Sequence, residues 1–194
     1  MTKTVSQSHK VERITGKCLD QSRVIALAQL WCSANEHSGE MFEDVWKWIL
    51  RHWGTEHQQL APRVIISVVV NNERYLSMAV GFTQHIVAGP ESLTIMALGG
   101  VCSSPDCRVV GLGTAVVEDQ FSRVETGEFP SSLFTTKPET VEFYKKLGAG
   151  RVLKSVFNSM DKNPQANPFG NDVVMGYPSQ FPWPEGKIDL LGKI

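Results

Sequence analysis

Leu98-Gly99-Gly100-Val101-Cys102-Ser103-Ser104-Pro105-Asp106-Cys107-Arg108-Val109-Val110-Gly111-Leu112-Gly113-Thr114 is the stretch on which the reading of this chain turns. An apolar strand, Leu93 to Leu98, ends in paired glycines and a loop follows. Gly111 and Gly113 then open a helical stripe of Leu112, Val116, Val117, Phe121 and Val124. The first amides of a helix have no intrahelical partner and the helix dipole adds partial positive charge, so this junction suits an anion. Without Cβ atoms, Gly111 and Gly113 would let a pyrophosphate approach the backbone closely. A dinucleotide fingerprint needs a third glycine where Val116 stands, and no Gly-Lys-Ser/Thr is there to make a Walker loop. On the residues alone, the glycines serve equally well as turn and helix-packing positions.

Upstream of this stretch, Val11-Glu12-Arg13-Ile14 alternates as a short strand, after residues 1 to 10 that show no periodicity and read as a flexible lead. Asp20 precedes the helical stripe Val24, Ile25, Leu27, Ala28, Leu30 and Trp31 as an acidic N-cap. A polar break at 35–40 separates it from a second helix, Met41 to Trp53, rich in aromatics and stopped at Gly54. Val64 to Val70 is dense in β-branched residues and ends at Asn71-Asn72, which predicts a hairpin. Its second arm runs from about Tyr75 to Val87, Gly89-Pro90 turns the chain, and Leu93 to Leu98 completes an antiparallel meander. Downstream, Ser132 to Thr135 is a short buried strand. Thr136-Lys137-Pro138-Glu139 fits a capping box for a helix from Glu139 to Leu147, with Gly148 as its stop. Val152 to Phe157 and Val173 to Tyr177 supply the last strands, and the tail from Pro178 reads as an irregular arm.

The 194 residues, 42% hydrophobic and 20% charged, are enough for a sizeable core and exclude a disordered or collagen-like chain. Nineteen Lys+Arg against twenty Asp+Glu leave a net charge of −1, without the broad basic field of a nucleic-acid binder. The expectation is no nucleic-acid partner. No apolar run approaches the roughly 20 residues of a membrane span, and the polar start lacks a signal-peptide core. The chain is therefore expected to be soluble and cytoplasmic, with no membrane partner. Four cysteines at irregular spacing, Cys18, Cys32, Cys102 and Cys107, make no disulfide framework. Cys102 and Cys107 have no second pair of ligands near them, so no metal is expected.

Arg108-Val109-Val110-Gly111-Leu112-Gly113 resembles the Arg/Gln-x-x-Gly-x-Gly/Ala motif with which the GCN5-related N-acetyltransferases (GNAT superfamily) bind the acetyl-CoA pyrophosphate. Glu142-Phe143-Tyr144-Lys145-Lys146-Leu147-Gly148-Ala149 is similar to that family's Phe-Tyr-x-x-Leu-Gly-Phe signature. Two motifs in the family's order and spacing are far more specific than either one. The resemblance implies an α/β GNAT fold, a central mixed and mostly antiparallel sheet flanked by helices, over residues 11–177, with 178–194 an arm of the same domain. It implies acetyl-CoA as co-substrate and acetyl transfer to a primary amine by direct attack in a ternary complex. It assigns the donor to Leu98, Gly99, Gly100 and Val101 on a splayed strand and to Arg108, Val109, Val110, Gly111, Leu112, Gly113 and Thr114 at the helix start. Tyr144 stands where a phenol protonates the departing thiolate.

The base is harder to place, because the strand Leu93 to Leu98 carries no Asp or Glu where some family members have a glutamate. His85 on the preceding strand is the expected catalytic base, and Glu36, His37 and Glu40 in the polar break are the expected substrate-binding residues. The near-zero charge favours a small-molecule amine, aminoglycoside-like or metabolite, over a protein N-terminus or lysine, and a homodimer is allowed. A noncatalytic CoA-binding sensor or scaffold is the alternative from another class.

Overall fold

The structure is a computed structural model that describes residues 10–35, 41–53, 64–107, 111–164, 166–170 and 172–192. The elements run β1 (Val11–Thr15), α1 (Gln21–Ala34), α2 (Phe42–Trp53), β2 (Ile65–Asn71), β3 (Arg74–Ala88), β4 (Glu91–Ser103) and α3 (Leu112–Glu125). There follow β5 (Ser132–Thr136), α4 (Val141–Lys146), β6 (Gly150–Arg151), β7 (Val156–Phe157), β8 (Val173–Tyr177) and β9 (Ile188–Asp189). The strands form one sheet in the order β1-β2-β3-β4-β5-β8-β6, with β9 pairing both β3 and β7. Among the described residues, the β4–β5 and β7–β9 pairs are the parallel ones.

Both faces of this sheet are covered, which is why β2 is buried without alternation from Ile66 to Val69, with Ser67 the one polar residue among them. Ile66 and Val68 pack with α1 and α2 residues Val24, Leu27, Val45, Ile49 and Trp53, whereas Val69 joins the cluster beneath α3. Asp20 caps α1 as its type predicts, its carboxylate accepting from the Arg23 amide at 2.9 Å. The mixed, mostly antiparallel sheet between helices is the architecture expected from the sequence.

Several local expectations are corrected. The β2–β3 turn is Asn72-Glu73, with φ of 48° and 64°, and Asn71 is instead paired with Arg74. β4 does not end at Leu98 but continues through both glycines to Ser103. Thr136 caps no backbone amide; its hydroxyl pairs with that of Thr140, and Pro138–Thr140 forms a 3₁₀ turn ahead of a six-residue α4. The stretch from Val152 to Phe157 is not one strand. Leu153 is exposed, and Val156–Phe157 pairs with β9 of the arm. The arm is therefore built into the sheet, with Ile188 and Leu190 fully buried and Gln84 Nε2 donating to the Leu190 carbonyl at 2.6 Å.

Candidate functional site

The site begins with a break in strand pairing. β4 and β5 pair through Met96–Ser132 and Ala97–Leu133 alone; β4 then runs on to Ser103 and β5 to Thr136 with no further registered pair between them. On its other side β4 carries a bulge: Val80 pairs with Gly99 and Met78 with Cys102, so Gly100 and Val101 stand opposite the single residue Ala79. Gly100 takes φ +58°, and a Cβ there would lie 2.8 Å from Val80 Cγ2 and 3.3 Å from Trp53 Cη2. No other residue fits without displacing the Trp53 ring or Val80. The strand thus turns backbone groups into an open wedge at Gly99–Val101, while Leu98, 4% exposed, keeps its side chain in the core beneath α3.

Beyond the bulge, Ser77 Oγ donates to the Cys102 carbonyl at 3.0 Å and pairs with Ser103 Oγ at 2.8 Å. These bonds hold the end of β4 against β3. α3 starts close by. Gly111, at φ +103°, is its N-cap, and a Cβ on Gly111 would meet nothing within 4 Å. At Gly113 a Cβ would make ordinary contact with Ser103 Oγ at 3.6 Å and Phe143 Cζ at 3.8 Å. Leu112 is buried and anchors the turn, and Thr114 is half-buried. No side chain at Gly111 or Gly113 obstructs the α3 amides, an arrangement suited to phosphate oxygens. Arg108, Val109 and Val110 lie outside the described residues.

Tyr144 is 7% exposed, its ring packed at 4.8 Å from that of Phe134 on β5 and 4.9 Å from that of Phe143. Burial pushes its phenol up to about 12, against a hydrogen bond with Thr136 that works the other way. The hydroxyl therefore stays protonated throughout the physiological range. The ring belongs to the core cluster beneath α3, together with Leu98, Leu112 and Val116, so Tyr144 shares a packing unit with both halves of the site.

His85 does not come to this junction. It is exposed, pairs with Thr94, and shares a 2.9 Å hydrogen bond between its Nδ1 and the Thr94 hydroxyl. Thr94 precedes Gly99 by five residues, roughly 16 Å along the strand at about 3.3 Å per residue. A base at that distance cannot reach an amine at the bulge. Glu36, His37 and Glu40 lie outside the described residues. Asp189, whose carboxylate accepts from the Ser159 and Leu191 amides, serves to tie the arm to its neighbours.

Two aromatic residues from other elements reach the bulge. Trp53, 2% exposed, rests against Gly100, and Phe82, whose ring centroid is 6.4 Å from that of Trp53, lies where a Gly99 Cβ would be 3.3 Å from its Cε2. Trp53 stands far from Gly100 in sequence, so no local motif could join them. Among the described residues no group of three or more His, Cys, Asp or Glu could hold a metal ion, and no helix is long and apolar enough to cross a membrane.

No family model and no curated protein matches the sequence. Solved structures do match in fold. Escherichia coli ElaA superposes with a TM-score of 0.58 at 13% identity, covering 87% of this chain and 98% of that one. The PaiA N-acetyltransferase of Thermoplasma acidophilum, crystallised with coenzyme A, gives 0.52 at 12% identity over 86% of this chain and 98% of that one. A GCN5-related N-acetyltransferase from Kribbella flavida gives 0.53 at 14% identity over 74% of this chain. The chain spans about a third of that protein's length, 34%, and 33% of a conserved Enterococcus faecalis protein that also matches. At these identities the likeness is one of fold, and with its bulged, diverging β4 and its helix opening at Gly111 the chain has the fold of the GCN5-related N-acetyltransferases.

Proposed function

We propose that the chain is an N-acyltransferase that moves an acetyl group from acetyl-CoA to a primary amine on a small molecule. The observation that carries this reading is the coincidence of three features: the β4–β5 divergence, the bulge at Gly100, and the unobstructed N-terminus of α3 just beyond the end of β4. In this reading the amides of Gly111 to Thr114 hold the pyrophosphate and the wedge at Gly99–Val101 takes the pantetheine arm by backbone hydrogen bonds. Arg108, Val109 and Val110 belong to the same phosphate loop by the motif match. A backbone amide near Leu98 or Gly99 polarises the thioester carbonyl, an oxyanion contribution.

The amine nitrogen then forms a bond to the thioester carbon, the carbon–sulfur bond breaks, and the proton lost by the nitrogen leaves to solvent. Tyr144 donates to the sulfur as negative charge develops there. Its role is set by magnitudes. A phenol near 12 and a thiol near its free value of about 8.5 differ by roughly 3.5 units, about 5 kcal/mol against full proton transfer to a solvated thiolate. A sulfur inside the wedge is itself desolvated, which raises its affinity for the proton and narrows that gap. The phenol is thus a hydrogen-bond donor first and a proton source once the thiolate is enclosed, and the phenolate so formed regains a proton from solvent as the thiol departs. His85 has no part in this scheme because of its distance from the bulge.

Titration calorimetry with acetyl-CoA, followed by CoA release in the presence and absence of an amine panel, tests the reading. Binding together with amine-dependent release is expected. Failure to bind acetyl-CoA refutes the reading, and binding without release on any amine favours a CoA-binding sensor.

A further inference from the structure

Between α1 and α2 lies a cavity of about 480 Å³, lined by Trp31, Met41, Asp44, Val45, Trp48, Ile49 and Trp53. That volume is within the range of small-molecule sites, roughly 300–1,000 Å³. Three of its walls are indoles, and Trp48 stands edge-on to Trp53 with ring centroids 5.3 Å apart. Met41 and Trp48 are exposed at 69% and 48%, large apolar side chains that a core does not explain. Among the described lining residues, Asp44 is the one that carries a charge. The neighbouring Glu43 faces Lys47 at 3.6 Å on the helix surface and takes no part in it.

Trp53 joins this cavity to the reaction site. It lines the cavity, while the Cζ2–Cη2 edge of its indole lies against Gly100 at the bulge. Nε1 is bonded to the carbon next to Cζ2, so the N–H sits on the bulge side of the ring. That nitrogen is buried and has no hydrogen-bond partner. A buried donor without an acceptor carries a desolvation cost, and a group that arrives with a ligand is one way to satisfy it.

We propose that the acceptor is an amine with a flat apolar body, an arylalkylamine in chemical class. In this proposal its ring is held among Trp31, Trp48 and Trp53, its ammonium is first met by Asp44, and its nitrogen passes the Trp53 edge to reach the bulge. This rests on the acyltransferase reading above and names the substrate class of that same site. Indole faces bind both aromatic rings and ammonium groups, the latter through the ring quadrupole. Among the described lining residues a polyhydroxylated or polycationic amine would find one carboxylate and, beyond the indole N–H groups, no polar side chain for its remaining groups, which would lose water without replacement. The cavity thus disfavours the aminoglycoside-like acceptor that overall charge alone had allowed.

The test uses the full chain with 2-phenylethylamine, spermidine and kanamycin as probes, each titrated calorimetrically and then assayed for CoA release at saturating acetyl-CoA. Acetyl-CoA is titrated separately, so loss of the acyltransferase reading shows as no donor binding and loss of this proposal as no preference among the amines. The expected result is kcat/KM for phenylethylamine at least about tenfold above that for either polar amine. Trp48→Ala, a substitution at the exposed rim, should raise the phenylethylamine KM about tenfold and leave acetyl-CoA affinity within about twofold, with Trp48→Phe restoring most of the loss. Asp44→Asn should raise the same KM and leave kcat unchanged. Equal or better use of spermidine or kanamycin would overturn the proposal, as would an unchanged phenylethylamine KM in Trp48→Ala with an unaltered melting temperature.

Discussion

Replacing Tyr144 with Phe separates packing from chemistry, because everything the ring touches is retained. Phe134 and Phe143, at 4.8 and 4.9 Å between ring centroids, keep their partner, and no cavity is opened. The variant loses the phenol's hydrogen bond with Thr136, and Thr136 still pairs with Thr140. The stability cost is therefore that of one hydrogen bond with a surviving alternative, about 0.5–1.5 kcal/mol, further reduced because a buried hydroxyl is no longer desolvated. The kinetic cost is larger. Loss of the donor to the developing thiolate should lower kcat by about a hundredfold, about 2.7 kcal/mol, while acetyl-CoA affinity changes little. Since burial holds the phenol at about 12, it remains protonated below that pH, and the wild-type profile should show no falling limb from this residue below about pH 11. The assay is thiol release in single turnover, where chemistry limits the rate, across pH 6 to 10. Full single-turnover rate in a folded Tyr144→Phe variant would leave the residue as a core aromatic and refute its assignment to the leaving group.

The two helix-opening glycines should respond in opposite ways. Gly111→Ala forces a Cβ onto φ +103°, costing about 1–2 kcal/mol in a thermal melt, and sets a methyl in space that the protein leaves open, weakening CoA about tenfold by calorimetry. Gly113→Ala meets only ordinary contacts and falls at a motif position that admits alanine, so stability should rise by about 0.5–1 kcal/mol with CoA affinity unchanged. His85→Ala removes an exposed hydrogen bond to Thr94 and should leave kcat within about twofold in the steady-state assay. Truncation before Pro178 removes Ile188 and Leu190, each worth about 1.5–3 kcal/mol when fully buried, and orphans Gln84. The sum rivals the whole stability of a typical domain, so circular dichroism should show an unfolded chain in place of a folded one with poor acceptor use.

The sequence made the fold legible wherever the signal was local. The β-branched run of β2, the apolar positions of α1 and α2, and the Asp20 cap are each decided by residues within a turn or two, and each lies where its pattern puts it. Misreadings came where one residue type serves two purposes. Gly99-Gly100 reads as a strand end, yet here it bends a strand that continues, because the positive φ that stops one strand can bulge another. The β2–β3 turn slipped by one residue because Asn invites positive φ more readily than Glu, whereas the pairing of Asn71 with Arg74 places Glu73 there. Val152 to Phe157 looked like one strand, but its last two residues pair with an arm drawn from the far end of the chain.

The candidate site divides along the same line. The proposed donor side is contiguous in sequence and was readable as a motif, because neighbouring backbone amides at a helix start are a local feature. The aromatic surroundings of the bulge come from residues that meet only in three dimensions: Trp53 on α2 lies against Gly100, and Phe82 on β3 against Gly99. His85 illustrates the cost of reading adjacency without register, since a neighbouring strand brings a residue near only if the pairing does, and its partner Thr94 lies on the wrong stretch of β4. With Ile95, Met96, Ala97 and Leu98 all apolar, the stretch of β4 that leads into the bulge carries no side chain able to take a proton from the amine. If solvent receives that proton, the reactive species is the small fraction of amine already neutral. The logarithm of kcat/KM should then climb with unit slope toward the amine's own pKa, and a plateau well below that pKa would point to a base on the chain.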